Sequence, residues 1–245
     1  MLRRTTHLTY YLNMLRKLER EYLKSLRKIA RHVADIVRGY PAGDPTVEPA
    51  IRHALTGYAN VIDGWARLTA AKFIAGAARE DDAAWRARSA MMGRELQREI
   101  RNAPTGETMR RLQAEQVDLI KSIPLDEAQR VHRLTLTGIE NGGRASQVAA
   151  EIMRSNEVTA NRARLIARTE TSRTSTLLTQ ARALHVGSVE YIWRSSGDSD
   201  VRKEHREVNG KVFRWDSPPT FDDGHSYAPG CFPNCRCWAE PIIPE

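Results

Sequence analysis

The chain is poor in aromatic residues and contains no long apolar run. Aromatic side chains make up 7% of the 245 residues, so we expect a hydrophobic core built mainly from Leu, Ile, Val and Ala. No apolar stretch approaches the roughly 18 residues that a membrane-spanning helix requires. No apolar segment follows the basic start of the chain as it would in a secretory signal, so we expect no membrane span and a reducing compartment.

Cysteine is also scarce, and its three copies lie close together near the C-terminus. Cys231, Cys235 and Cys237 fall within seven positions. Structural zinc sites usually have four Cys or His ligands, and His205 or His225 could supply the fourth. The spacing C-x3-C-x-C is not a common zinc-binding pattern, so buried free thiols and a disulfide stay open as alternatives to zinc.

The chain lacks a glycine-rich phosphate loop and a nucleophile elbow. Its densest polar stretch runs from Asp198 to Gly210, in which Asp200 is placed to cap a short helical turn with Arg202 and His205 on one face. An Asp, an Arg and a His could act as general acid–base groups. Because no nucleophile motif is present, we favour a structural role for these residues and predict that the protein is not an enzyme. The alternative is a metal-dependent nuclease or hydrolase, in which His205, Asp200 and the cysteines surround the metal ion.

Two further charges lie inside a predicted helix. Arg168 and Glu170 are two positions apart, so they point to opposite sides and do not pair with each other. They either face water or pair with groups of the C-terminal region. The structural polar network that we predict contains Arg168, Glu170, Asp200, Arg202, His205 and Asn209.

Positive charge is concentrated at the N-terminal end. The net charge is +8, and residues 1–40 contain ten Lys or Arg against three acidic residues. Such an excess favours contact with an acidic protein surface or with a polyanion such as DNA, although a solvated helix face has the same composition. We expect protein contact first and DNA second. The candidate contact residues are Arg16, Lys17, Arg20, Lys24, Arg27, Lys28 and Arg31.

Apolar residues recur every three or four positions over most of the chain, which is typical of amphipathic helices. The first such helix carries Leu8 and Leu12 and ends at Gly39. Further helices are predicted over about 47–79, from a cap at Asp81 or Asp82 to Asn102, and over 107–120, 126–139, 146–154 and 160–185. A break is predicted at Ser122–Pro124, and Gly142 and Gly143 are predicted to close the helix that precedes them.

The pattern changes after Gly187. Val189–Trp193 alternates as a strand does, Asn209-Gly210 predicts a turn before a second strand, and Pro241 allows only a short final strand. We therefore predict an α+β fold, with long N-terminal helices followed by a small C-terminal α/β domain that has a short antiparallel sheet and irregular loops. The predicted divisions are 1–114, 115–186 and 187–245.

Three short motifs in this order resemble the phage Mu F-like head morphogenesis family. They are Ala167-Arg168-Thr169-Glu170-Thr171, then Asp200-x-Arg202-x-x-His205-x-x-x-Asn209-Gly210, then Asn234-Cys235-Arg236-Cys237. The similarity covers roughly residues 115–243, and the N-terminal hundred residues are similar only in being helical.

The resemblance implies a minor capsid protein of a tailed bacteriophage. Its expected location is the virion, inside the head at the portal vertex, and the host cytoplasm during assembly. Its expected partners are the portal protein, other capsid proteins and packaged double-stranded DNA, with a role in head morphogenesis and in DNA packaging or ejection. Residues 1–114 would then be a helical region that docks on the portal or packs against other helices. Some family members carry an added toxin or ADP-ribosyltransferase domain, which we do not expect here because the chain ends eight residues after Cys237.

Overall fold

The computed structural model describes residues 2–41, 43–90, 92–141 and 144–244, and their side chains except at 2–12 and 95. The described chain contains eight α-helices, a short 3-10 turn at Pro45–Val47 and three strands. In chain order they are α1 (Leu2–Arg38), α2 (Glu48–Val61), α3 (Asp63–Ser89), α4 (Arg94–Asn102), α5 (Gly106–Glu140), α6 (Ala145–Met153), α7 (Ser155–His185), β1 (Glu190–Arg194), α8 (Lys203–Glu207), β2 (Val212–Arg214) and β3 (Trp238–Ile242).

The predicted α+β class is confirmed. The strands form one antiparallel sheet in the order β2-β1-β3, with Tyr191 of β1 opposite Phe213 on one side and Pro241 on the other. Pro241 is tolerated because β3 is an edge strand, where a missing N–H donor leaves no ladder bond unmade. In the described part of the chain, no helix is both long and apolar enough to cross a membrane.

The chain forms two compact units. The sheet-bearing unit consists of Met1–Arg20, Lys72–Gln113 and Ala167–Glu245, and the helical unit consists of Glu21–Ala71 and Ala114–Ile166. Both units are therefore assembled from segments that are distant in sequence. The predicted division into three consecutive segments, 1–114, 115–186 and 187–245, stays a prediction.

The helical unit has an aliphatic core. The predicted stripe of α1 is buried at Leu26, Ile29 and Val33. Inside this unit the Tyr22 hydroxyl donates a hydrogen bond of 2.9 Å to Oε1 of Gln116 in α5. The side chains of Leu8 and Leu12, which we assigned to the same stripe, lie outside the described side chains.

The predicted break at Ser122–Pro124 is wrong. α5 continues through Pro124 to Glu140, although an interior proline removes one helical hydrogen bond and costs about 3 kcal/mol. Apolar side chains are buried on both sides of it, at Ile120, Ile123 and Val131. Their continuous stripe offsets the local cost of the proline. Gly142 and Gly143, predicted to close this helix, lie outside the described residues.

The predicted helix cap at Asp81 or Asp82 is also wrong. Both residues lie inside α3, which begins at Asp63 instead. Asp81 is buried and accepts hydrogen bonds of 2.7 Å from the Thr179 hydroxyl and from Nε of Arg182, both in α7. Burial raises the pKa of Asp81, while Thr179 and Arg182 act in the opposite direction. Asp81 therefore makes a tertiary contact with α7 and does not cap a helix.

α7 begins at Ser155, ahead of the predicted start at Thr159–Ala160. The Thr159 hydroxyl donates to the carbonyl of Ser155 over 2.6 Å, the bond that a threonine inside a helix makes four residues back. The Ser155 hydroxyl is buried and bonds Glu127. Thr159 is thus an interior helix residue and not the predicted helix start, because threonine is found both at helix N-caps and inside helices.

The expectation of an aliphatic core fails in the sheet-bearing unit. Its core contains Tyr191, Trp193, Trp215 and Phe221 together with Trp85 from α3. The Tyr191 and Trp215 ring centroids lie 4.4 Å apart. Short strands offer few aliphatic positions, and aromatic side chains each bury about 150–250 Å². Aromatic residues are few in the whole chain, but several of them form the core of the sheet-bearing unit.

Candidate metal centre

Three buried side chains bring one nitrogen and two sulfurs together. The Nδ1 atom of His205 lies 3.5 Å from Sγ of Cys235 and 3.7 Å from Sγ of Cys237. All three ligand atoms lie within 4.8 Å of one another. The residues are 2%, 3% and 3% exposed, respectively. Imidazole and thiolate are the ligands of structural zinc sites, so this cluster (the His–Cys cluster) could hold a metal.

Local backbone geometry places the two sulfurs. A turn between Phe232 and Cys235 is closed by a backbone hydrogen bond of 2.9 Å, and Asn234 inside it has φ = 60°. The chain then reaches Cys237 directly before β3. The Cys237 backbone N–H donates to Sγ of Cys235 over 3.4 Å. This hydrogen bond favours a negatively charged sulfur at Cys235.

The imidazole of His205 is held by aromatic rings. It lies in α8 and contacts Trp193 edge-on at 5.3 Å and Phe221 at 5.0 Å between ring centroids. Its second nitrogen, Nε2, lies 3.4 Å from the Tyr227 hydroxyl. A proton on Nε2 can therefore point to this oxygen, which leaves Nδ1 with a free lone pair facing the sulfurs.

A cavity of about 20 Å³ lies beside the His–Cys cluster. Asp198 and Arg236 contribute to its wall, together with His205, Cys235 and Cys237. Nη2 of Arg236 donates to Oδ1 of Asp198 over 2.9 Å. The other oxygen, Oδ2, is buried and has no hydrogen-bond partner among the described residues. The space suits one water molecule or one ion and excludes an organic substrate.

The three thiols differ in their protonation. The pKa of Cys235 is lowered to about 4, first by a hydrogen bond from the Cys237 thiol and then, in the tautomer with the proton on Nδ1, by a hydrogen bond from His205. The pKa of Cys237 is raised, because its proton is held by Cys235 and because it is buried. Burial raises the pKa of Cys231 to about 12. Of the two sulfurs that face His205, the pKa shifts favour the thiolate at Cys235 over the thiolate at Cys237.

Two of the predicted ligands lie elsewhere. In the described structure, Cys231 and His225 are not part of the His–Cys cluster. Cys231 is half-buried, and the exposed His225 lies in a loop where its backbone N–H bonds Asp223 over 2.9 Å. The sequence provided no means of deciding which of the three cysteines and two histidines converge.

Comparison with known proteins places this region in a family. Residues 129–240, a little under half of the chain, match the family described as "Phage Mu protein F like protein". These residues are a Mu F-like region. The resemblance predicted from the three motifs is confirmed over these residues.

One curated relative extends the match beyond the family region. An uncharacterized protein of Haemophilus influenzae (strain ATCC 51907 / DSM 11121 / KW20 / Rd) is 34% identical over 154 residues. The match covers 62% of this chain and 33% of the relative, so the chain spans about a third of the length of the curated relative it matches. No solved structure matches.

The polar residues of the Mu F-like region make separate local contacts. The N-cap residue of α8 is Arg202, so the predicted capping role of Asp200 is wrong. Asp200 lies two residues before the N-cap position, and its Oδ2 accepts a hydrogen bond of 3.3 Å from Arg236. Arg202 donates to the Pro233 carbonyl over 3.0 Å and lies 4.6 Å from the Phe232 ring centroid. Whether these residues act as one structural network stays a prediction.

Each of the remaining predicted network residues contacts a different neighbour. Oδ1 of Asn209 accepts from the Ser195 backbone N–H over 2.9 Å, which fixes the turn that ends at Gly210. Arg168 lies 3.6 Å from Glu19 of α1. Glu170 pairs with Arg173 at 3.1 Å on the same helix.

Two threonines, Thr169 of the first motif and Thr176, connect α7 to the cysteine-containing loop, and neither was among the predicted site residues. The Thr169 hydroxyl accepts from the Asn234 backbone N–H over 3.0 Å. The Thr176 hydroxyl donates to the Pro229 carbonyl over 2.7 Å. Thr169 and Thr176 are seven residues apart and so lie on one face of α7. α7 therefore contacts this loop through two hydroxyl groups.

Outside the Mu F-like region, α1 exposes a row of cations. The row, here called the basic stripe, contains Arg16, Lys17, Arg20, Lys24, Arg27, Lys28 and Arg31, all of which are exposed. Because an α-helix turns about 100° per residue, they fall within an arc of about 120° over about 22 Å. Among the side chains that the structure describes, none of the seven has a hydrogen-bond or ion-pair partner.

Proposed function

We propose that the protein is a minor head protein of a tailed bacteriophage that associates with the portal vertex and acts in head morphogenesis. The match of residues 129–240 to the Mu F-like family carries this proposal. The portal protein and other capsid proteins are the proposed partners. Assembly takes place in the host cytoplasm and the mature location is the virion.

The geometry of the His–Cys cluster supports a scaffolding role for the Mu F-like region. Its side chains are buried, and the adjacent cavity of about 20 Å³ is far smaller than the roughly 300 Å³ at which ligand pockets begin. A catalytic metal normally keeps an open coordination position for water and substrate. A nuclease or hydrolase at His205 would need an opening of this region before a phosphodiester could enter.

Quantitative protein analysis of purified phage particles tests the portal assignment. We expect the chain to co-purify with the portal protein at a fixed ratio and at low copy number relative to the major capsid protein. Particles assembled without the portal protein serve as the control and should lack the chain. Equal amounts in particles with and without the portal would contradict the proposal.

The basic stripe supports contact with DNA as a second candidate function. Replacing Lys24, Arg27, Lys28 and Arg31 by Gln should weaken DNA retention and reduce the slope of log K against log salt by about 0.9 for each lost phosphate contact. A control with equal charge loss replaces four exposed arginines that already pair with carboxylates, namely Arg67, Arg86, Arg154 and Arg214. If only portal binding is lost, the stripe contacts protein.

The nuclease alternative has a direct test. Hydrolysis of double-stranded and single-stranded DNA is measured for the parent protein with added Zn²⁺, Mg²⁺ or Mn²⁺, and then for His205→Ala. We expect no activity in the parent. A robust parental activity that His205→Ala abolishes would establish the enzyme and contradict the scaffolding role.

A further inference from the structure

We propose that His205, Cys235 and Cys237 bind a structural zinc ion and that Asp198 supplies the fourth ligand. This site does not depend on the head-protein proposal, because it concerns the folding of residues 187–245. Neither the family match nor the curated relative assigns a metal to the chain.

The interatomic distances fit tetrahedral zinc. With Zn–N near 2.05 Å and Zn–S near 2.3 Å, a tetrahedral angle puts nitrogen and sulfur about 3.6 Å apart. The observed distances from Nδ1 of His205 are 3.5 Å to Cys235 and 3.7 Å to Cys237. The two values bracket the expected distance, so one ion can bind all three atoms with little rearrangement.

Hydrogen bonding alone accounts for this arrangement less well. The Nδ1 atom of a neutral imidazole has one lone pair and accepts one strong hydrogen bond. Two sulfurs nevertheless flank Nδ1 at nearly the same distance. A cation binds both sulfurs and the nitrogen at once, whereas the single proton of the Cys237 thiol can be donated to Cys235 or to Nδ1 but not to both.

The surroundings of the imidazole also resemble a metal site. A histidine that binds a metal through one nitrogen usually donates its other N–H to an oxygen, which fixes the ring. The Tyr227 hydroxyl, 3.4 Å from Nε2 of His205, is in that position. Likewise, the backbone N–H that Cys237 donates to Cys235 stabilises a thiolate.

Asp198 is the fourth ligand that the cavity favours. Its Oδ1 is held by Arg236 at 2.9 Å, while Oδ2 is buried and without a hydrogen-bond partner in the described structure. A buried polar atom without a partner is costly, and a cation would satisfy it. Asp198 lines the same small cavity as the other three ligands but stands outside their 4.8 Å cluster, so binding requires a small movement of its side chain.

The ligand set identifies the metal as zinc. Two thiolates select soft or borderline cations, and imidazole with carboxylate completes a set that suits four-coordinate Zn²⁺. Four protein ligands leave no open position for a substrate, so the ion would stabilise the loops that surround it. The geometry therefore points to a structural centre.

The test begins with the full-length wild-type chain, so that it does not depend on the folding of a variant. We expect one zinc ion per chain by elemental analysis after purification. A strong chelator should remove it and lower the melting temperature, and Zn²⁺ should restore it. Co²⁺ in place of zinc should give the intense near-ultraviolet band of sulfur-to-cobalt charge transfer. A wild-type chain that neither retains nor binds Zn²⁺ or Co²⁺ would overturn the proposal.

Matched variants assign the ligands by competition with a chromogenic chelator. Cys235→Ser, Cys237→Ser and His205→Ala should each weaken zinc binding by more than about 100-fold, above the 10–100-fold typical of residues that only support a ligand. Cys231→Ser and His225→Ala are the matched controls and should leave affinity unchanged. Equal losses in these controls would overturn the assigned ligand set.

The fourth ligand has its own pair of variants. Asp198→Asn should weaken zinc binding at least tenfold. Asp200→Asn, which changes a neighbouring carboxylate of the same cavity wall, should change it less than twofold. Full zinc affinity in Asp198→Asn would overturn the assignment of Asp198 and leave three protein ligands.

Discussion

The helical unit and the sheet-bearing unit are stabilised in different ways. The helical unit buries aliphatic stripes of long helices, such as Leu26, Leu55 and Val131. The sheet-bearing unit has strands of only five, three and five residues and buries aromatic rings around an imidazole and two sulfurs. A small sheet is marginally stable without further packing. Regular helices can therefore rely on periodic apolar residues, whereas the loops need a few large or specialised side chains.

The difference predicts where one side chain matters most. Trp193 is fully buried and contacts both His205 and Phe221. Trp193→Ala should lower the free energy of unfolding by about 3–5 kcal/mol, because it removes a large buried ring, and it should also weaken zinc binding. Chemical denaturation and metal content check the two effects. If the variant is less stable but binds zinc with full affinity, the aromatic core does not support the His–Cys cluster and this prediction is contradicted.

In the helical unit, truncation should affect stability alone. Leu26 is fully buried in α1, and Leu26→Ala should cost about 3–4 kcal/mol through lost apolar contact and a cavity. Zinc affinity should not change. Leu68→Ala, at a residue that is 74% exposed, is the control and should have little effect on either quantity. A fall in the zinc affinity of Leu26→Ala would contradict the prediction that the helical unit does not affect zinc binding.

A buried ion pair provides a polar test within the sheet-bearing unit. Arg182 binds Asp81 at 2.7 Å and also donates to the Ile100 carbonyl over 2.9 Å. Arg182→Ala should cost about 3 kcal/mol, because it leaves a buried carboxylate without its partner. Burial already raises the pKa of Asp81, so protonation should relieve part of this cost at low pH. Denaturation of the variant and the parent at pH 5 and pH 7 checks this; a cost that grows as the pH falls would contradict it.

The smallest effect is expected at Asp63, a half-buried carboxylate of the helical unit. Lys121 and Arg67 lower the pKa of Asp63 below its ordinary value of 3.8. The stability from this group is therefore present above that value and is lost as the pH falls through the folded-state pKa. Asp63→Asn should be slightly less stable than the parent at pH 7, and the gap should close below about pH 4.

The sequence predicted features that depend on local periodicity. The stripe of α1, its end near Gly39 and the strand at Tyr191–Trp193 follow from the alternation of apolar and polar residues. The turn at Asn209-Gly210 follows from the need for positive φ, and Gly210 has φ = 85°. These features are determined by neighbours in sequence, so one sequence is sufficient to find them.

Features that depend on distant partners were not predictable. Pro124 continues a helix because apolar residues on both sides are buried, and Asp81 lies inside a helix because Arg182 is near it in space. The motifs predicted that cysteines and histidines matter, but not that Cys231 and His225 lie apart from the others. The three residues of the His–Cys cluster are brought together by the tertiary fold, which cannot be deduced from residue spacing.

Hydrogen–deuterium exchange of the full-length protein, with and without a zinc chelator, tests the contrast between the two units most directly. We predict that chelation removes amide protection in residues 188–244 and leaves that of residues 21–41 and 114–141 nearly unchanged. Unchanged protection in residues 188–244 after complete removal of zinc would contradict the claim that the His–Cys cluster holds the small sheet and its loops together.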